Sequence, residues 1–284
     1  MKTLFYHDEG ISGISIRCDP APCAFHVHTA TTQGDTAFYK STNSISVWVY
    51  IPLAKRERIS ALWKRPRRAF NRDLGLAFVI TGSKNATRVA VAGAEGTRYL
   101  SEMEWKLMDA PGSRRGPSRL FYDSHPNGIR QLMFESREPD KPTSCPVLSR
   151  PALFSPHTGS DEGFFWSSAS LEGVTALRQC RRGNSQGRQE VIGLLFTHAD
   201  GTVSSVGQVR WDCLGKRSDV AGSDDLWLAF ERTASRCPYI SDAQLSPSER
   251  PGRFRLSWRG RLEWWYSYRQ CQIRYDGRTS INLV

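Results

Sequence analysis

The sequence predicts a mainly β protein. Three observations carry this reading: short runs in which apolar and polar residues alternate with period two, turn signals rich in Gly, Pro and Asp between them, and no helical periodicity sustained for ten residues with caps.

The first expected strands are ISGISIRCD and CAFHVHT, separated by a turn containing Pro20 and Pro22. In SISVWVYIPL, Ile45, Val47 and Val49 alternate with Ser46, Trp48 and Tyr50, the pattern of a strand with one face more buried, and Pro52 ends it. ERISALWKR follows, then a basic break at Arg65-Pro66-Arg67-Arg68, then LGLAFVI and TRVAVAG. These read as three strands, with a short helix carrying Ile59, Leu62 and Trp63 on one side as the alternative for the first. Residues 107–163 are dense in Gly, Pro and Ser, interrupted by RLFYD and IRQLMF. So long a poorly patterned stretch reads as a linker or excursion between β units at 1–106 and 164–284.

The second half opens with FFWSSASLEGVTALRQCRRG. Next comes the clearest local signal, a hairpin: Ile192–Thr197 goes out, Ala199-Asp200-Gly201 turns, and Thr202–Trp211 returns. DDLWLAFE fits a strand or a short helix, and LSPSERPG a loop. The last segment has expected turns at Arg259-Gly260-Arg261 and at Asp276-Gly277.

Bulk properties bound the function. A chain of 284 residues buries enough surface to fold without disulfides or metals, and 11% aromatics with nine tryptophans argue against disorder. The seven cysteines form no CxxC pair and read mostly as reduced, buried thiols; Cys18 and Cys23 could close a small loop if oxidised. No run approaches the roughly 20 apolar residues that cross a bilayer, and MKTLFYHDEGISG lacks a signal-peptide core. The expectation is a soluble, cytoplasmic protein without membrane insertion. The charge balance of +11 is mostly arginine, clustered at Arg56, Arg58, Lys64, Arg65, Arg67, Arg68 and Arg72, then at Arg114, Arg115, Arg181 and Arg182. Arginine forks suit phosphate and carboxylate, so Arg65, Arg67 and Arg68 are candidate contacts for an acidic partner or polyanion. A solvated arginine surface is the plain alternative.

The halves echo one another. ERISALW, a basic spacer and LGLAFVITGSKNATRVAVAG match LEGVTALRQCRRG, a polar spacer and VIGLLFTHADGTVSSVGQ. Glu57 aligns with Glu172, Gly75 with Gly193, Phe78 with Phe196 and Gly93 with Gly207, while residues 11–29 fit a third, decayed copy. This unit resembles the repeated element of jacalin-like β-prism lectins over about 40 residues in each half. It is also similar to a recurrent segment of fungal proteins ending in a Gly-Gln-x-Arg-x-Asp phrase, here Gly207-Gln208-Val209-Arg210-Trp211-Asp212. The lectin resemblance implies three sheets about a pseudo-threefold axis and sugar binding at loops near one end. It points to Gly215-Lys216-Arg217-Ser218-Asp219, which has the spacing of the lectins' terminal G-x-x-x-D phrase but lies far from the C-terminus, and to the loop at Asp200-Gly201. The plain reading of both is a tight turn.

Sugar recognition needs polar acceptors beside an aromatic ring, and residues 258–268 supply them most densely. In a strand, Trp264, Tyr266 and Tyr268 face one way and Glu263, Trp265 and Ser267 the other, so one face can be core and the other a ligand platform. His26 and His28 share a face, but no spacing nominates a third metal ligand. Neither a metal nor a cofactor is expected. No nucleophile elbow, zincin helix, Walker loop or dinucleotide fingerprint is present. The carboxylate pairs Asp161/Glu162 and Asp224/Asp225 lack a demonstrated facing geometry, and Glu172, Asp200 and Glu263 would serve acid–base work only if folded into one cleft. The leading reading is a non-enzymatic binding protein, carbohydrate-directed through loops and exposed aromatics. The alternatives are an enzyme with a carboxylate-based site on a small molecule or glycan, and an electrostatic nucleic-acid or polyanion binder.

Overall fold

Strands take up 65% and helix 4% of the residues that the computed structural model describes, which makes the chain mainly β. Those residues are 1–6, 10–19, 21–29, 35–40, 45–65, 75–82, 87–93, 105–110, 118–124, 129, 131–135, 162–183, 187–247 and 252–280. Arg67, Arg68, Arg72, Arg114, Arg115, Cys145 and Asp161 lie outside them. The chain divides into two units, Met1–Ser155 and Pro156–Val284.

The first unit holds β1 (Lys2–Phe5), β2 (Ile11–Asp19), β3 (Ala21–Thr29), the short helix α1 (Ala37–Lys40), β4 (Val47–Pro52), β5 (Arg58–Arg65), β6 (Gly75–Thr81), β7 (Thr87–Ala92), β8 (Lys106–Asp109), β9 (Arg119–Tyr122) and β10 (Leu132–Phe134). They form three antiparallel sheets, in the orders β1-β9-β10, β3-β2-β4 and β7-β6-β5-β8. The stretch expected to be a linker therefore contributes three strands to this unit. Its strand β9 lies between β1 and β10, and its pairing with β1 joins segments more than a hundred residues apart that no local pattern announces.

Central β2 is buried on both faces. Ile14, Ile16 and Cys18 line one, and Ser15 lies on the other with His26, His28, Trp48 and Tyr50 from the flanking strands. Phe38 and Tyr39 of α1 cover this second face: Phe38 stacks on His26 at 3.6 Å between ring centroids, and Tyr39 meets Trp48 at 4.7 Å. That cover explains why β4 is buried along its whole length, where sequence alternation predicts one face more buried than the other. β5 is a strand and not the alternative helix, and Ile59, Leu62 and Trp63 are all buried in it.

The second unit contains β11 (Phe165–Ser170), β12 (Val174–Gly183), β13 (Gln189–His198), β14 (Val203–Gly207), a 3-10 turn at Trp211–Cys213, β15 (Leu214–Asp219), β16 (Asp225–Arg232), β17 (Pro238–Gln244), β18 (Arg253–Ser257), β19 (Arg261–Tyr266), β20 (Cys271–Tyr275) and β21 (Arg278–Thr279). One sheet runs β15-β12-β13-β17-β16-β18, with β14 also pairing β13, and the other runs β11-β19-β20-β21. The expected hairpin is β13–β14, turning at Gly201 with φ of 81°. Its return strand ends at Gly207, and Trp211 belongs to the 3-10 turn.

The matched segments of the two halves share strand order and register. In each, the second strand lies between the first and third, and the fourth returns to pair with the first: β7-β6-β5-β8 and β14-β13-β12-β15. Phe78 faces Leu62 and Ala90, while Phe196 faces Leu177 and Ser204. Arg65 faces Gly75 where Cys180 faces Gly193.

Candidate ligand-binding hollow

The turns at Arg259-Gly260-Arg261 and Asp276-Gly277 bring the ends of β18, β19 and β20 to one place in the second unit. Gly260 has φ of 68°, and Asp276 and Gly277 both have positive φ, the backbone of the tight turns that suit hairpins. Antiparallel pairing sets Leu262 opposite Tyr275 and Glu263 opposite Arg274. The result is an open hollow of about 470 Å³ whose polar lining includes Ser257, Arg259, Arg261, Glu263, Arg274 and Asp276. Small-molecule sites span roughly 300–1,000 Å³, so the space suits a ligand, and its charged lining suits a polar one.

Its wall is held by hydrogen bonds. The Tyr275 hydroxyl lies 2.5 Å from Ser257 Oγ and donates to the Ser257 carbonyl at 3.2 Å. The Arg278 guanidinium donates to the Arg255 carbonyl at 3.0 Å and lies over the Phe254 ring. Arg274 Nε is buried and has no hydrogen-bond partner among the described residues. Three guanidinium groups against two carboxylates leave the lining one charge positive, 3 − 2 = +1. Chemically, the hollow offers guanidinium donors, two carboxylate acceptors and hydroxyls.

Of the sequence-derived site residues, Glu263 lines this hollow. The others are dispersed. Trp264 is 0% exposed and Tyr266 2%, and Trp265 on the opposite side of β19 is buried too. The reading of Trp264 and Tyr266 as a ligand platform is therefore corrected: both faces of β19 are buried, with the Trp264 ring packed against Gly207 of β14. Tyr268 lies past the end of β19, half-buried beneath the Arg269 guanidinium. Gly215 and Asp219 sit on β15 and not in a loop; the Gly215 carbonyl accepts a hydrogen bond from Arg178 Nε, and exposed Asp219 pairs with Arg217 at 3.2 Å. Asp200 spends its carboxylate on the turn. Its Oδ1 accepts from the Thr202 backbone N–H at 2.9 Å and the Thr202 hydroxyl at 2.7 Å, and these bonds hold the carboxyl below its usual range.

The acid–base pairs come apart in the same way. Asp225 is buried against Arg255 at 2.8 Å while Asp224 is exposed. Glu162 accepts from Arg269 and Gln270, each at 2.9 Å. Arg65, a proposed anion contact, is 3% exposed, with its guanidinium over the Trp105 ring, so it is corrected to a core residue of the first unit. Arg181 and Arg182 are committed to Asp242 and Glu190.

His26 and His28 do share a face, with ring centroids 4.9 Å apart. Ser15 Oγ lies 2.7 Å from His28 Nε2 and 2.9 Å from the Tyr39 hydroxyl. Burial lowers the His28 pKa to about 3, aided by neighbouring His26. Ser15 and His28 are fully enclosed, so this serine–histidine contact is structural and not a nucleophile open to substrate. Among the described residues no group of three metal-ligating side chains converges. No described helix is long and apolar enough to cross a membrane.

Sequence reasoning found both turns of the hollow but not Ser257, Arg274 or Tyr275. Only strand register places these beside Glu263. No family model, curated protein or solved structure matches the chain. The described sheets hold three, three and four strands in the first unit and seven and four in the second.

Proposed function

We propose that the second unit is a non-enzymatic recognition module that binds a small polyhydroxylated, negatively charged ligand, such as an acidic sugar, in the hollow at the ends of β18, β19 and β20. The observation that carries the reading is the combination of Glu263 with Arg259, Arg261 and Arg274 around one open volume of about 470 Å³. A carboxylate accepts from sugar hydroxyls, and guanidinium forks pair with a ligand carboxylate or sulfate. The Arg274 guanidinium on this wall adds positive charge that favours an anionic ligand. We also read β5–β8 and β12–β15 as copies of one supersecondary unit, on the strength of their common order and register.

Saturation-transfer NMR against uronic-acid, sialic-acid, sulfated and neutral saccharides tests the proposal. Saturable binding of acidic members, weakened about tenfold by Glu263→Gln and by Arg274→Met, is expected. Tenfold corresponds to about 1.4 kcal/mol, within the range of one charge-assisted hydrogen bond. Binding unaffected by both substitutions rejects the hollow, and failure of every saccharide to bind rejects the ligand class.

A further inference from the structure

Two cysteines remote in sequence meet in the second unit. Cys180 lies on β12 and is fully buried, whereas Cys213 closes the 3-10 turn and is half-buried. The strand register explains the meeting: Leu214, next to Cys213, lies opposite Cys180, at the point where the β12–β15 pairing slips between Arg178 and Cys180. The turn is fastened by the Cys213 N–H donating to the Arg210 carbonyl at 3.1 Å and by the Leu214 N–H donating to the Trp211 carbonyl. Cys180 Sγ accepts from the Arg210 N–H at 3.2 Å and lies 3.4 Å from the Arg210 carbonyl oxygen. Both thiols therefore sit at the Arg210 backbone, Cys180 through its sulfur and Cys213 through its N–H, and they are close enough to influence each other's ionisation. Both are free thiols.

We propose that Cys213 and Cys180 form a peroxide-responsive dithiol, with Cys213 as the attacking sulfur and Cys180 as the resolving one. Access divides the roles, since a hydroperoxide can reach the turn but not the interior of the sheet. Local charge divides them the same way. Neighbouring Cys180 and the Arg210 guanidinium lower the Cys213 pKa, and together they outweigh burial and the opposing Asp212 carboxylate. Burial, reinforced by Cys213, holds Cys180 well above the ordinary thiol range. Reactive thiols need a lowered pKa, access and a positive neighbour; of the two cysteines Cys213 is the one with partial access, and the Arg210 guanidinium beside it is shared with Asp212 at 2.6 Å.

The chemistry balances. The Cys213 thiolate attacks one oxygen of hydrogen peroxide; the S–O bond forms as the O–O bond breaks, and the departing hydroxide takes a proton from solvent and leaves as water. Cys213 is then a sulfenic acid. The Cys180 sulfur attacks the Cys213 sulfur, its proton passes to the departing hydroxide, and the S–O bond breaks with release of water as the disulfide forms. Two thiols have lost two electrons to one peroxide, and a small-molecule dithiol reverses the step by exchange. The disulfide ties the 3-10 turn, and the start of β15 behind it, to β12.

Three other cysteines serve as internal references. Burial pushes the Cys18 and Cys23 thiols up and the Cys271 thiol to about 12. The experiment treats the full reduced chain with a small excess of hydrogen peroxide, then unfolds, alkylates, digests and maps it by mass spectrometry. A peptide pair linked through Cys180 and Cys213, removed by dithiothreitol, is expected, with Cys18, Cys23 and Cys271 still alkylated. In Cys180→Ala, dimedone should label Cys213 at least tenfold more than in the wild type, because the sulfenic acid has no resolving thiol. In Cys213→Ala, Cys180 should stay reduced. Should Cys180→Ala misfold, the wild-type map and the turn variant Cys213→Ala still decide. Oxidation of Cys180 and Cys213 no faster than Cys271, or a linkage to a different cysteine, overturns the proposal.

Discussion

Gly193 of β13 and Gly207 of β14 face each other across the hairpin with no room for a side chain on either. A Cβ on Gly193 would stand 2.7 Å from the Gln208 carbonyl carbon and 2.8 Å from the Val206 oxygen. One on Gly207 would stand 2.9 Å from the Gly193 Cα and 3.1 Å from the Trp264 ring. The closeness lets the Gln208 N–H reach the Ile192 carbonyl at 2.7 Å and the Gly207 N–H reach Ser167 Oγ at 2.9 Å. Gly193→Ala should therefore destabilise by about 2 kcal/mol or more, the scale of an overpacked core. Gly207→Ala should cost more, because its φ of 69° adds roughly 1–2 kcal/mol for an L side chain. Gly201→Ala, with positive φ but open space, isolates the backbone contribution at about 1 kcal/mol. Urea midpoints at an unchanged slope give all three values.

Stability of the first unit should fall as the solution becomes mildly acidic. The His28 pKa is lowered in the fold to about 3, against an unfolded value of 6.5. A lowered folded value means that the neutral ring's contribution is complete above pH 6.5 and is lost as pH falls from there toward 3. The slope is roughly 1.4 kcal/mol per pH unit for one proton. His26, lowered by burial against the pull of Asp35, acts in the same direction. His28→Asn should be less stable at pH 7.5 but should lose much less between pH 6.5 and 5 than the wild type. Equal losses in the two proteins would exclude His28 as the source.

Glu162 should set a second, lower acid transition in the other unit. Burial raises its pKa, but hydrogen bonds from Arg269, Ser267 and Gln270 outweigh that and leave the carboxyl below its usual range. Its contribution is then present above about pH 4.5 and disappears as pH falls through the lowered folded value. Glu162→Gln should cost about 1–3 kcal/mol at neutral pH, the scale of hydrogen bonds to a charged group. The same variant should flatten the stability profile below pH 4.5 without altering it above pH 5. Denaturant titrations across pH 3–7 separate this limb from that of His28.

What was legible in the sequence was local. The hairpin at Asp200-Gly201 and the turn at Asp276-Gly277 depend on residues that relieve positive φ, a cost set within two or three positions of chain. The strands depend on period-two alternation for the same reason. Trp264 reads wrongly as a platform because alternation marks which side chains share a face, not whether the second face is also covered; β14 packs on β19 at Trp264, and residues of both faces are buried. The pairing of β1 with β9, the cover that α1 lays over Ser15, and the approach of Cys213 to Cys180 arise between remote segments. Their constituent residues carry no mark of it. In the hollow, Glu263 and the two turns could be found from composition, but Arg274 was reached only through its register opposite Glu263.

Gly75 and Arg65 show how the +11 charge divides between core and surface. The Arg65 guanidinium lies where a Cβ on Gly75 would stand 3.0–3.1 Å away, and it covers the Trp105 ring with its Cζ 5.6 Å from the centroid. Arg65 therefore packs with Trp105 and is removed from any partner in solution, whereas Lys55 and Arg56, on the turn before β5, are exposed. An exposed cation contributes to polyanion retention through counterion release, and a buried one does so only weakly. On a heparin column, Lys55→Gln with Arg56→Gln should lower the eluting salt concentration while leaving the thermal midpoint within about 1 °C, because surface substitutions rarely exceed ±0.5 kcal/mol. Arg65→Ala should do the reverse: it loses packing on Trp105 and should lower the midpoint by several degrees, an effect of about 2 kcal/mol, with elution unchanged. A shift in elution for Arg65→Ala in protein that remains folded would show that the guanidinium reaches the polyanion after all.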